Sequence, residues 1–208
     1  MKIRLTAALA VAGSSVLLLA GCSNSSAGGM SGMDHSGAGT SSSAPAASSS
    51  THNAQDVSFA QGMAMHHQQA IEMADMVLDK KGVNSKVTAL ATDIKNAQQP
   101  EIEQMNGWLK SWGEKTMSGS MSGMDHDMGS MGGDMMSQAD MDALKNASGA
   151  KASSLFLTQM TTHHKGAINM AQTEVAKGKD PDAVALAKKI ISDQTTQITQ
   201  MQDLLKQL

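Results

Sequence analysis

One eleven-residue pattern occurs twice in this chain, and it constrains the fold more than any other feature. Residues 63–73 read MAMHHQQAIEM, and residues 160–170 read MTTHHKGAINM, at a constant offset of 97. Both copies hold two adjacent His residues, with a Met three positions before and another seven positions after the first His. Phe59 and Phe156 precede the two copies at the same distance. A repeat of this kind indicates a protein built from two copies of one structural unit.

Apolar residues recur at helical spacing through the first copy, and they predict two consecutive helices. The first helix is expected to begin near Asp56 and to run to about Lys81, where Gly82 ends it. The second is expected to begin near residues 84–85 and to continue to the end of the apolar stripe. The first unit is therefore predicted to be a helical hairpin over residues 56–112.

The second copy repeats this plan. Its first helix is predicted from Phe156 to Lys177. Its second helix is predicted to begin with Asp180 as the N-cap, because Pro181 then occupies the first helical position, which favours Pro. The second hairpin unit is expected to lie within residues 137–208.

Two hairpins with apolar stripes predict an all-α fold, namely a four-helix bundle with pseudo-twofold symmetry. The second helices of the two units also match each other, at an offset of 96. The chain holds only 2 Phe, 2 Trp and no Tyr, so the core must consist of aliphatic residues and Met, which favours packed helices over a β-sandwich. A short additional helix is predicted at residues 138–146, with Ser137 as its cap.

The first 21 residues have the features of a bacterial lipoprotein signal peptide. A basic start and an apolar stretch precede the sequence LAGC at residues 19–22, which resembles a lipobox, and Cys22 is the only cysteine in the chain. We therefore expect lipidation at Cys22 and an extracytoplasmic protein that is lipid-anchored to a bacterial membrane. The alternatives are an ordinary secretory signal and an uncleaved anchor, although the apolar stretch is short for a membrane span.

Two further segments contain few large apolar residues. Residues 22–55 are rich in Ser, Gly and Ala and are predicted to form a flexible tether, and residues 113–136 form a Met- and Gly-rich linker. The sequence MSGMDH occurs in both, at residues 30–35 and 121–126. Because core packing does not explain Met in such contexts, these motifs are interpreted as secondary sites of metal capture, with low-complexity drift as the alternative. The residues concerned are Met30, Met33, His35, Met121, Met124 and His126.

Charge and cysteine content exclude several classes of function. Beyond residue 21 the chain holds 14 Lys and no Arg against 19 Asp and Glu, which gives a net charge of −5. Such a chain is a poor candidate for binding nucleic acid or phosphate groups. A single cysteine excludes both internal disulfides and sites built from several thiolates. No Glu-x-x-His motif occurs, so a carboxylate-bridged di-iron site is also disfavoured.

The His pairs and the Met residues around them are the candidate metal ligands. Imidazole and thioether groups together suit copper, and a neutral set of this kind favours Cu(I). One site is expected in each unit, between its first and second helices, and the alternative is that these residues only pack the core. The predicted ligands are His66, His67, Met63, Met73 and Met105 in the first unit, and His163, His164, Met160, Met170 and Met201 in the second.

The spacing of Phe, Met, His-His and Ala-Ile-x-Met over residues 59–74 resembles the bacterial family called domain of unknown function 305. The resemblance continues through the second helix and is repeated in the second unit. It implies a secreted or periplasmic, ferritin-like four-helix bundle with copper handling in some members and no established enzyme activity. The second unit departs from the pattern, since Ser153 replaces Asp56 and Gln197 replaces Glu101. We therefore expect the first unit to be the better site.

The sequence as a whole predicts a copper-binding protein that buffers, sequesters or transfers copper outside the cytoplasm, together with donor or acceptor proteins. Copper affinity is expected to fall as the pH drops through about 6.5, because protonated imidazole does not bind metal. One alternative is a redox enzyme that resembles a cuprous oxidase. The other is an interaction module that binds no metal and whose His pairs are structural.

Overall fold

The computed structural model describes residues 51–117 and 135–208, and within these ranges it contains five α-helices and no β-strand. Helix α1 spans Ala54–Leu78, α2 spans Ser85–Trp112, α3 spans Gln138–Asn146, α4 spans Gly149–Lys177 and α5 spans Pro181–Leu205. The predicted signal peptide, Cys22 and both MSGMDH motifs lie outside the described residues.

The long helices pack as two hairpins. Helix α1 packs along α2, α4 packs along α5, and the hairpins meet mainly through α1 and α4, while the short α3 lies against both of these. This arrangement confirms the predicted all-α bundle. None of the described helices is long and apolar enough to cross a membrane.

Helix starts follow the capping residues. Ser137 forms a capping box with Asp140 at the start of α3. The Asp180 side chain accepts backbone N–H groups at the start of α5, where Pro181 is the first helical residue. The predicted starts of α3 and α5 are therefore confirmed.

Two helix boundaries differ from the prediction. Helix α1 ends at Leu78 rather than near Lys81, with Asp79 as its C-cap, and Gly82 lies in the turn that follows, with a positive φ of 76°. Helix α4 begins at Gly149, well before Phe156. Its extra turns place Ser153 against the turn of the first hairpin, where the Ser153 hydroxyl accepts the N–H of Asn84 at 3.0 Å.

Apolar side chains form two separate clusters along the bundle. The Phe59 cluster joins the start of α1 and the end of α2 to the later part of α4 and the start of α5; it includes Phe59, Met63, Ile102, Met105, Leu109, Ala167 and Ile190. The Phe156 cluster joins the opposite segments; it includes Met73, Val77, Leu90, Ile94, Phe156, Met160 and Met201. The core is thus interrupted in the middle of the four long helices.

Two side-chain amides hold the chain on either side of residues 118–134. Asn106 of α2 donates to the carbonyl of Met117 at 3.0 Å and accepts the N–H of Met117 at 2.8 Å. Gln69 of α1 makes the same pair of bonds with Met136, also at 3.0 and 2.8 Å. Both described ends of the predicted linker are therefore fixed to the first hairpin.

Candidate metal centre

Polar side chains fill the gap between the two apolar clusters. Each long helix contributes two of them, and all are buried except Gln197, which is half-buried. We call this set the polar layer; it consists of His66, His67, Gln98, Glu101, His163, His164, Gln194 and Gln197. Buried polar groups are costly unless they are bonded, so a layer of this kind in a small bundle calls for an explanation.

The first His of each pair meets its counterpart at the centre of the layer. The ring centroids of His66 on α1 and His163 on α4 lie 3.6 Å apart, with an interplanar angle of 37°. Among the described residues, no group forms a hydrogen bond of good geometry with any of the four ring nitrogens of these two residues. The sequence pattern predicted one site in each hairpin, whereas this contact joins the two units.

The second His of the first unit is held by a carboxylate. His67 Nε2 lies 2.8 Å from Glu101 Oε2, and the other oxygen of Glu101 accepts from Lys189 Nζ at 2.8 Å. Burial alone would raise the pKa of Glu101, but the hydrogen bonds and charges of His67 and Lys189 outweigh it and hold the pKa below its usual value. An ionised carboxylate only accepts, so Nε2 of His67 carries the hydrogen. Its buried Nδ1 has no partner within the described part of the chain.

The second His of the second unit is held by a neutral amide. His164 Nε2 donates to Gln197 Oε1 at 2.7 Å, and the buried Nδ1 again has no partner among residues 51–117 and 135–208. His67 and His164 are therefore held through the same nitrogen, Nε2, and leave the same nitrogen, Nδ1, without a partner in the described part of the chain, although the groups that hold them differ in charge.

Three imidazoles of the layer, those of His66, His163 and His164, are neutral at physiological pH. Burial lowers the pKa of His66 to about 3 and that of His164 to about 4, and it holds the pKa of His163 well below its usual value. The neighbouring His residues act in the same direction, because a second positive charge in the layer would be repelled. Neutral imidazole is the form that binds metals.

Thioether groups lie on both sides of the layer. Met63 and Met105 are fully buried in the Phe59 cluster, and Met160 and Met201 are fully buried in the Phe156 cluster. Met201 Sδ also accepts a hydrogen bond from the Thr161 hydroxyl at 3.8 Å. Each unit thus keeps one pair of predicted Met ligands together, at opposite ends of the layer.

The remaining two predicted Met ligands are separated from these pairs. Met73 lies in the Phe156 cluster, on the other side of the layer from Met63 and Met105. Met170 is only half-buried and packs against the Phe59 cluster. The structure therefore does not bring either predicted five-residue set together as one group.

The described residues contain no group of three or more His, Cys, Asp or Glu side chains arranged to hold a metal ion. The donors that fit a metal are instead the unpartnered nitrogens of the four imidazoles and the flanking thioethers. A buried set of nitrogen and sulfur donors fits a soft monovalent ion such as Cu(I) better than a hard cation, which prefers oxygen.

Gln98 and Gln194 belong to the layer but received no role from sequence reasoning. Both side-chain polar atoms of Gln98 and the amide oxygen of Gln194 are buried without a partner among the described residues. A signal was available, since both lie four residues after a buried Ile, at positions where the apolar stripe would otherwise continue. The cross-unit contact of His66 with His163 had no such signal.

A second group of buried polar residues lies at one end of the bundle. The Asp56 carboxylate accepts the backbone N–H groups of Asn53 at 2.6 Å, Lys179 at 2.9 Å and Asp180 at 3.0 Å. Glu174 is buried beside it, and burial together with the neighbouring Asp56 carboxylate raises the pKa of Glu174 to about 8. Because N–H donors already occupy the Asp56 oxygens and Glu174 is protonated at neutral pH, this pair is not a cation site.

Comparison with known sequences gives one family. The sequence profile of the family described as Domain of unknown function (DUF305) matches residues 56–205. Comparison with curated proteins gives no match.

Several solved structures have the same fold. A DUF305 protein from Streptomyces coelicolor, described as a presumptive secreted protein, is 33% identical with a TM-score of 0.65, over 74% of this chain and 93% of its own. A DUF305 fragment from Deinococcus radiodurans is 28% identical with a TM-score of 0.66, over 75% and 98% of the two chains. CopM in its Cu(II)-bound form is 32% identical with a TM-score of 0.61, over 73% and 96%. CopM has also been solved with Cu(I) and with Ag bound.

Proposed function

Since the chain belongs to the family described as Domain of unknown function (DUF305), we propose that it binds copper ions in the polar layer of its bundle. The observation that carries this proposal is the set of four buried imidazoles, each of which has at least one ring nitrogen without a hydrogen bond of good geometry among the described residues. An interior of this kind is costly without a ligand, and a soft metal ion supplies the missing partner. The copper-bound structures of the similar protein CopM support the choice of metal.

Different residues of the layer have different roles in this proposal. Glu101 and Gln197 fix the tautomer of His67 and His164, so that Nδ1 is the ligating atom in both. His66 and His163 separate from their ring contact and each offer one nitrogen. Met63 with Met105, and Met160 with Met201, would supply thioethers from the two sides, whereas Met73 and Met170, which were also predicted from the sequence, would act as ligands only after a rearrangement of the core.

The cellular role that follows is buffering, sequestration or transfer of copper outside the cytoplasm. The similar Streptomyces protein, described as presumptively secreted, supports this location, and lipidation at Cys22 would hold the protein at a membrane. The MSGMDH motifs would capture copper at lower affinity and pass it to the layer. The clamps at Met117 and Met136 keep the ends of the linker on the first hairpin, which supports transfer within one molecule.

The experiment is an anaerobic Cu(I) titration of residues 23–208 against a competing chelator. Replacing both His67 and His164 by Gln keeps a buried hydrogen-bonding side chain but removes Nδ1, and we expect the tight binding to be lost. His52→Gln is the matched control, because His52 stacks on Trp112 outside the layer, and it should leave tight binding intact.

A second variant tests whether the flexible segments bind the metal instead. Here residues 118–134 are replaced by a Gly/Ser linker of equal length and residues 23–50 are removed. Tight binding that survives this change supports the layer as the site, whereas loss in this variant alone assigns binding to the segments. The proposal is wrong if the His67→Gln/His164→Gln protein and the segment-deleted protein both bind as much copper as the wild type. Turnover of Cu(I) with oxygen would favour the redox enzyme.

A further inference from the structure

The polar layer has one half around His67, from the first unit, and one half around His164, from the second unit. The two halves offer the same types of ligand but differ in the group that accepts the hydrogen bond from Nε2 of each His. His67 donates to the carboxylate of Glu101, while the equivalent His164 donates to the amide of Gln197. The cation that faces Glu101 has no counterpart either, since the residue 96 positions before Lys189 is Asp93. The two units therefore differ in sequence at the residues that bond to Nε2 of His67 and His164.

A carboxylate changes what an imidazole can bind. An N–H that donates to a carboxylate gives the ring partial negative character, which makes its other nitrogen a stronger donor. A negative charge that close to the site, in a medium of low dielectric constant, also stabilises a metal ion more strongly the higher the charge of the ion. An amide fixes the same tautomer without either effect.

On this basis we propose that Glu101 makes the two halves of the layer unequal, so that the His67 half holds Cu(II) more tightly than the His164 half, while the two halves differ little towards Cu(I). This inference rests on the copper binding proposed above. Glu101 acts through His67 and is a specificity-determining, positioning residue; it is not itself a ligand.

Lys189 limits the effect of Glu101. Its ammonium group lies 2.8 Å from Glu101 Oε1, and it also pairs with Asp193 at 2.7 Å. The Lys189 side chain is 55% exposed, whereas Glu101 is only 10% exposed. Water therefore screens the lysine more than the carboxylate, and a net negative field remains at His67.

The test compares Glu101→Gln with Glu103→Gln in the chain of residues 23–208. Both variants lose one negative charge from α2, but Glu103 is exposed and bonds only to Gln99 among the described residues. Dissociation constants for Cu(II) and Cu(I) are measured separately with competing chelators. We expect Glu101→Gln to weaken Cu(II) binding about 10- to 100-fold and Cu(I) binding much less, and Glu103→Gln to change neither. Each tenfold change in the ratio of the two constants corresponds to about 59 mV in the midpoint potential of bound copper, which should rise.

Two more variants check the direction. Lys189→Met leaves the Glu101 carboxylate without its cation and should tighten Cu(II) binding and lower the potential. Gln197→Glu places a carboxylate behind His164 and should raise the Cu(II) affinity of the second half. It also decides the question if Glu101→Gln does not fold, as judged by its helical circular dichroism. Copper sites elsewhere in the chain are common to all the variants, so differences between them isolate the layer.

The outcomes separate the two proposals. Equal Cu(II) affinities for Glu101→Gln and Glu103→Gln, or no response to Gln197→Glu, would overturn the inference while leaving copper binding in place. If the His67→Gln/His164→Gln protein binds Cu(I) as tightly as the wild type, the proposed function itself is wrong.

Discussion

His66 and His163 carry a cost that the rest of the core does not. Each buries an imidazole whose nitrogens make no hydrogen bond of good geometry among the described residues, and the two rings lie against each other in a tilted arrangement. A buried polar group without a partner costs about 1–3 kcal/mol. If the role of these residues were only to pack the bundle, Leu would do so at lower cost.

A double substitution measures that cost. In the absence of metal, we expect His66→Leu/His163→Leu to raise the free energy of unfolding by about 1–3 kcal/mol, because apolar side chains of similar size need no partner. Urea unfolding at pH 7 followed by circular dichroism tests this. Addition of Cu(I) should stabilise the wild type and the double variant unequally, with the larger gain for the wild type. A double variant that is less stable than the metal-free wild type would mean that the ring contact stabilises the fold.

At the scale of the helices, the sequence predicts a helix start correctly where the capping residue bonds within its own turn. Ser137 and Asp180 predicted helix starts correctly because a cap is satisfied within its own turn. The start of α4 was missed because its extra turns are held by a distant contact, between Ser153 and the N–H of Asn84. The register of a helix can be read from its own residues, but its extent also depends on what it packs against.

The same distinction applies to the candidate site. Helical periodicity correctly placed His66 on a buried face, but periodicity does not say which helix that face meets. The contact with His163 is a property of the packing of α1 on α4. Met63 and Met73 lie in different apolar clusters for a related reason, since residues ten apart on one helix lie about 15 Å apart along its axis.

Glycine at the end of α4 is required for space rather than for backbone freedom. Gly178 has an ordinary φ of −65°, but a Cβ there would overlap the Glu174 carboxyl, whose Cδ would be 2.6 Å away. Gly178→Ala is therefore expected to destabilise the protein by about 1–3 kcal/mol. Gly107→Ala is the control, because this helical position has open space and the change should stabilise by about 0.5–1 kcal/mol. Thermal unfolding of both variants decides, and equal effects would rule out the steric explanation.

The whole molecule is expected to be most stable near neutral pH. His66, His163 and His164 have folded pKa values below the ordinary 6.5, so the unfolded chain binds more protons and stability falls as the pH drops below about 6.5. Glu174 acts in the opposite direction. Its folded pKa of about 8 lies above the ordinary 4.5, so the folded chain holds the proton and stability falls as the pH rises from 4.5 to 8.

Glu174→Gln separates the two limbs of this profile. The amide has nearly the same size and shape but does not titrate, so the loss of stability between pH 6.5 and 8 should disappear while the loss at acid pH remains. For one proton the slope removed is at most about 1.4 kcal/mol per pH unit. The measurement is the urea midpoint at a series of pH values without metal. An unchanged alkaline limb in the variant would show that Glu174 is not its source.

The joining of two hairpins in one chain permits what an association of identical subunits would forbid. A hairpin made as a separate polypeptide would need a second copy to complete the layer, and twofold symmetry would then make both halves alike. Within one chain, the partner is present at an effective concentration of the order of millimolar, so the assembly resists dilution. Mutations can then accumulate in one duplicate alone, and Glu101 opposite Gln197 is such a divergence. Because both hairpins lie in one chain, a substitution in one half of the layer does not have to occur in the other half.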